Sequence, residues 1–118
     1  LRFCVQVSDK SINERGADLA KFLAAEMQAW QYALDNRDKE VALTNKITHA
    51  KADDPRAPYI YDEVKRISAI DPTMPLPMDK LAWMRDLLLK TGNLKTTVDV
   101  NKLVAPGPRE AALKLLGK

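Results

Sequence analysis

One histidine, one cysteine, two pairs of neighbouring carboxylates and a handful of aromatic rings are the residues of this 118-residue chain that could carry chemistry. His49 could serve as a general base only with an orienting partner and a nucleophile, and nothing in the spacing supplies either. It falls near the end of an expected helix, where an imidazolium interacts favourably with the helix dipole, so a surface or capping role is expected. Asp53 with Asp54 and Asp62 with Glu63 are the residue types that bind divalent cations or share acid–base work on glycosides. They lack the regularly alternating oxygen ligands and central glycine of a calcium loop, and Asp53 and Asp54 instead suit a helix start. Trp30, Tyr32, Tyr59, Tyr61 and Trp83 could stack on a flat ligand. The two tryptophans are expected on helix faces at the core or its rim, and the two proline-flanked tyrosines partly exposed. Cys4 has no histidine near it in sequence and reads as a small packed residue. A single cysteine excludes an internal disulfide and a cysteine-based zinc site. No catalytic or metal-binding set emerges, and neither enzymatic activity nor a metal or cofactor is expected.

Position adds one more candidate. Leu1, Phe3, Val5 and Val7 alternate with Arg2, Cys4 and Gln6, the period-2 pattern of a half-buried strand. Ser8 and Asp9 would then follow a strand and precede a helix, where open α/β sheets gather their ligands. Gln6 and Ser8 are therefore the candidate ligand-contacting residues. A lone strand cannot satisfy its own backbone, so it would have to pair with a sheet encoded elsewhere. The chain also begins without Met. It is expected to be the C-terminal piece of a larger protein, and the unpaired strand edge predicts self-association of the piece alone.

The elements that would position these residues are helical. Ser11 and Glu14 have capping-box spacing, and Gly16 is expected to break a short helical turn from a longer helix over about 17–34. Along it Leu19, Phe22, Leu23, Met27, Trp30 and Leu34 recur every three or four residues. Burying such side chains at roughly 1.5–3 kcal/mol each would make this the main core element. Asp35-Asn36 joins it to a helix at about 37–50, with Val41, Leu43, Ile47 and Ala50 apolar, antiparallel to the first. The connector Asp53 to Pro58 leads into a helix at about 57–70 carrying Ile60, Val64, Ile67 and Ile70. Pro72, Pro75 and Pro77 forbid helix in the next stretch. A helix at about 78–91 carries Leu81, Met84, Leu87 and Leu88, and Gly92-Asn93 stops it. Val98 to Val104 reads as a connector with a helical turn. After Pro106 and Pro108, Arg109 to Leu116 forms a last short helix.

Composition bounds the partners. Hydrophobic residues are 46% and charged residues 30%, which suits a folded globular chain and argues against disorder. The net charge of +3 comes from nineteen Lys/Arg offset by sixteen Asp/Glu along the same helices. A one-signed stripe interleaved with stacking aromatics is missing, so no nucleic-acid partner is expected. No apolar run is long enough to span a bilayer.

The order of the pieces resembles a known family. The runs Phe3-Cys4-Val5-Gln6-Val7-Ser8-Asp9-Lys10, Asp18-Leu19-Ala20-Lys21-Phe22-Leu23 and Ala29-Trp30-Gln31-Tyr32-Ala33-Leu34-Asp35-Asn36 are similar to the C-terminal part of periplasmic substrate-binding proteins of nitrate/sulfonate/taurine/pyrimidine-type ABC transporters. There a Ser-Asp/Glu-Lys-like turn precedes a helix ending in G/A-W-x-Y-A-x-x-N. Leu76 to Met84 resembles the family's late helix, Thr91-Gly92-Asn93-Leu94 its x-G-x-(L/I) stop, and Val98 to Val104 its closing V-D-x-x-x-L-V segment. The chain departs from the family at Glu14-Arg15-Gly16, where Glu-Asn-Pro is more usual, and in its proline content over 53–77. The resemblance implies a mainly α piece with one N-terminal β-strand at 1–7, the C-terminal fragment of an α/β type II periplasmic binding protein fold. Residues 1–118 would be a single partial domain completing the first lobe of a two-lobed protein, the rest lying in a missing N-terminal part. The implied function is capture of a small solute, such as a sulfonate, nitrate, an aminopyrimidine or an aromatic acid, and its delivery to a membrane permease. The implied location is periplasmic or lipid-anchored extracellular. The alternative is an α-helical protein-interaction module with no ligand.

Overall fold

A computed structural model of the chain describes residues 5–118. Among the described residues the regular structure is helical: α1 Asp9–Asp35, α2 Arg37–Ile47, α3 Arg56–Arg66, α4 Met78–Lys90 and α5 Pro106–Leu115, with one short 3-10 turn at Val100–Lys102. Inter-residue contacts divide the chain into two units. One is Ala24–Met74, which holds the second half of α1 with α2 and α3. The other combines the residues up to Leu23 with Pro75–Lys118, and so holds the first half of α1 with α4, the 3-10 turn and α5.

The expected α/β fold and N-terminal strand are overturned. Leu1 to Cys4 lie outside the described residues. Val5, Gln6 and Val7 have no strand pairing, and Val5 and Val7 are 46% and 42% exposed. An alternating pattern makes a strand only where a neighbouring strand receives its donors and acceptors, and no sheet exists among the described residues.

The start of α1 moves accordingly. Ser8, rather than Ser11, caps it, its hydroxyl oxygen accepting from the Ser11 N–H at 3.1 Å. The break expected at Gly16 falls one residue earlier: Arg15 (φ −132°, ψ 27°) is non-helical, and across this kink a short first stretch of α1 meets the longer one that runs to Asp35. The other helices end earlier than apolar periodicity suggests, and they share one device. His49 (φ 55°), Ser68 (φ 49°), Gly92 (φ 75°) and Gly117 (φ 71°) each follow a helix in the left-handed conformation. After α2, α3 and α5 the next N–H turns back onto a carbonyl five residues earlier, Ala50 to Asn45, Ala69 to Val64 and Lys118 to Leu113. After α4 the reach is six residues, Leu94 to Leu88. These are Schellman-type stops, two of them built without glycine.

The interior is made of small side chains. Ala20, Ala24, Met27, Ala57, Val100 and Ala112 are buried, and Met27 is the largest of them at 3% exposed. The expected α1 stripe is therefore rotated: Leu19, Leu23 and Leu34 are half-buried, while Phe22 and Trp30 are exposed. Leu43, Ile47, Ile60 and Ile67, taken from periodicity as core, are also exposed. Large apolar side chains of the helices are thus left uncovered among the described residues.

Candidate functional site

The most elaborated polar geometry lies in the Ala24–Met74 unit, where α3 grips the end of α1 and the start of α2. α1 has no basic residue in its last turn, so its final carbonyls lack the usual cationic complement. α3 supplies it. The Tyr61 hydroxyl donates to Leu34 O at 2.6 Å, with Ala33 O at 3.1 Å, and Lys65 Nζ donates to Leu34 O at 2.7 Å. Asn36 Nδ2 donates to Tyr32 O at 2.8 Å from the short α1–α2 joint. At the first residue of α2, the Arg37 guanidinium binds Asp62 two-pronged, Nε to Oδ1 at 2.7 Å and Nη2 to Oδ2 at 2.6 Å. The bond to Arg37 holds the Asp62 carboxyl below its ordinary range, and Asp62 in turn raises the guanidinium.

The remaining acid candidates are tied up in the same way. Asp54 accepts from the Arg56 N–H at 3.0 Å at the start of α3, and from the Arg56 guanidinium at 2.9 and 2.6 Å. These bonds push its carboxyl down to about 2. Glu63 binds Arg66 one turn on and is likewise lowered. The neighbouring pairs in sequence thus turn to different arginines and do not converge on one cation. Among the described residues no group of three His, Cys, Asp or Glu gathers. Asp53 is exposed.

An open groove of about 390 Å³ runs along α2, lined by Val41, Ala42, Ala50 and Ala52, with Asp38 and Lys46 at its margin. The buried Asn45 lies beneath it, 6% exposed, its Nδ2 reaching Ala52 O at 3.4 Å. The groove has the volume of a small ligand site. Its polar lining is the Asp38 carboxylate, the Lys46 ammonium and the Asn45 amide, whose Nδ2 is already engaged with Ala52 O. His49 sits just past α2 with an exposed side chain, its backbone N–H bound to Lys46 O, away from any nucleophile–base arrangement.

Gln6 and Ser8 are both exposed, and Ser8 is occupied in capping α1. Cys4 lies outside the described residues. Trp30 is 40% exposed and Trp83 62%, which puts Trp83 on the surface and Trp30 at the rim. Tyr59 is 70% exposed, while Tyr61 is half-buried and bonded as described. The sequence reading missed the Tyr61–Lys65 grip. Its signal was there: two polar residues at i,i+4 on α3, and a preceding helix with no basic residue in its last turn.

Compared with protein families, curated proteins and solved structures, the chain matches none of them.

Proposed function

We propose that the chain works as a helical segment docked on further polypeptide, and that the assembled protein captures a small solute for an ABC importer. The observation that carries this reading is the uncovered apolar surface. Phe22, Trp30, Leu43, Ile47, Ile60, Ile67 and Leu103 are each at least 40% exposed on helices or their ends. Exposed apolar area of that extent belongs to interaction surfaces. The ordered series Trp30-Gln31-Tyr32-Ala33, Thr91-Gly92-Asn93-Leu94 and Val98 to Val104 supports the transport assignment by resemblance. The helices act as the supporting frame, the solute is held largely by the remainder of the protein, and a permease receives it outside the cytoplasm. The reading needs no strand within this chain.

The test is thermal unfolding of the protein encoded by the complete gene against sulfonates, nitrate, aminopyrimidines and aromatic acids. A ligand at a hundred times its Kd stabilises by about 2.7 kcal/mol, a shift of several degrees with one class and none with the others. Absence of any shift, together with a gene neighbourhood lacking permease and ATPase genes, overturns the import reading. The second reading, a helical interaction module with no ligand, is favoured by the exposed apolar side chains of α2 and α3, Leu43, Ile47, Ile60 and Ile67. It is supported if the chain binds a protein partner stoichiometrically while every solute leaves unfolding unchanged.

A further inference from the structure

The unit containing Pro75–Lys118 carries a set of cations that its own structure does not use. Over 24–74 there are seven Lys/Arg against nine Asp/Glu, and in the rest of the chain twelve against seven. In the acidic unit five of the seven cations are engaged: Arg37 with Asp62, Arg56 with Asp54, Arg66 with Glu63, Lys65 with Leu34 O and Lys39 with the Tyr32 hydroxyl. In the basic unit Lys80, Lys90, Lys95, Lys102, Lys114 and Lys118 are exposed and make no ion pair or side-chain hydrogen bond among the described residues.

Two of these lysines frame an apolar patch. Lys80, Trp83, Leu87 and Lys90 fall at i, i+3, i+7 and i+10 of α4, within one quarter of the helix circumference. All four are exposed, Trp83 by 62%. Met84 borders the stripe on one side, 37% exposed. Asp79 and Asp86 border it on the other. Asp86 is neutralised by Arg85 at 2.8 Å, and Asp79 lies in the first turn of α4, where the positive end of the helix dipole offsets it.

We propose that this face of α4 docks on an anionic phospholipid surface. Trp83 is an amphipathic ring suited to the headgroup boundary. Leu87 and Met84 enter beside it, and Lys80 and Lys90 reach from either end toward lipid phosphates on long apolar stems. The excess of positive charge on the unit draws it to the same surface. Among the described residues no helix is long and apolar enough to cross a membrane, so the contact is peripheral. Charge complementarity favours an anionic partner, and a flat stripe with a lone exposed indole favours a lipid surface over a protein pocket.

Flotation of the 118-residue chain with phosphatidylcholine vesicles, with and without phosphatidylglycerol, tests this. The chain is expected to float with the anionic vesicles alone and to be released by salt. The double substitution Lys80→Gln with Lys90→Gln should weaken binding about 30-fold, at roughly 1 kcal/mol per lysine. Trp83→Ala should weaken binding while its salt dependence persists, and Trp83 fluorescence should shift blue on the anionic vesicles. Circular dichroism of the variants confirms that the helices are intact. No flotation at low salt, or flotation unchanged by the lysine pair, overturns the proposal, as does binding to an acidic protein with none to vesicles. None of these outcomes touches the solute titration above, so the two readings fail separately.

Discussion

The two units reach stability by different means. The Ala24–Met74 unit ties three helices together with directional polar bonds across long sequence separations: Arg37 to Asp62, Tyr61 to Leu34 and Lys65 to Leu34. It tolerates left-handed backbone at His49 and Ser68, neither of them glycine. The Pro75–Lys118 unit ends its helices with Gly92 and Gly117. The polar contacts described for it are local, such as Arg85 to Asp86 and Asp99 to the Asn101 N–H. One unit spends its charges on itself and is acidic. The other leaves its lysines in solvent and is basic. Charge engaged within a fold fixes register, whereas charge left free is available to a partner.

The sharpest way to break this comparison is to remove Met27, the largest buried apolar side chain among the described residues. Met27→Ala should destabilise the chain by about 2–5 kcal/mol in denaturant melts, whereas Trp83→Ala, on an exposed face, should change the same melt by less than about 0.5 kcal/mol. Equal losses would mean that Trp83 is packed. Next in size is the left-handed backbone. Gly92→Ala should cost about 1–2 kcal/mol at φ +75°, where an added Cβ meets no neighbour and the cost is conformational alone. The reverse changes, His49→Gly and Ser68→Gly, should each stabilise the chain by about 0.5–1 kcal/mol, read as a higher melting midpoint. A loss on either would show that the side chain holds the turn. Tyr61→Phe should cost up to about 1 kcal/mol by removing one of the two donors on Leu34 O, Lys65 remaining, read as faster amide exchange at the end of α1.

Acid gives the smallest and most selective effect. Asp54 at about 2, with Asp62 and Glu63 also lowered, stabilises the fold above the unfolded carboxylate range near 4. Those contributions fall away as pH drops from about 4 toward 2, because the unfolded chain then binds protons that the folded carboxylates resist. Amide signals of α2 and α3 should weaken first in an acid titration, and Asp54→Asn should flatten the profile. The Arg37–Asp62 pair is exposed and screened by salt, so its share should shrink at high ionic strength.

Sequence reading found all five helices and most of their starts, because prolines at 55, 72, 75, 77 and 106 and the Asp35-Asn36 joint punctuate the chain. It overran the ends of α2 and α3. No glycine follows either helix, and His49 and Ser68 supply the left-handed turn instead. It read a strand from period-2 alternation, while no strand pairs with Val5 to Val7 among the described residues, since alternation describes faces and not hydrogen bonds. It placed large apolar residues inside. Periodicity reports that one side of a helix is apolar, and only the tertiary arrangement decides whether anything lies against that side. The acid pairs were legible as helix-start chemistry at Asp54, while the Tyr61–Lys65 grip depends on where α3 meets α1, which no local window contains.

The buried positions are mostly alanines, at 20, 24, 57 and 112. Such positions leave no room for added atoms: Ala112 is 0% exposed, and a heavier replacement there should cost about 1–3 kcal/mol, whereas Gly or Ser carries a modest penalty. The bulky residues outside face the opposite regime. They are free to vary until something rests on them, so aligned relatives of this chain should show frozen alanines, and any invariant tryptophan or isoleucine on the outer faces would mark the footprint of whatever covers it.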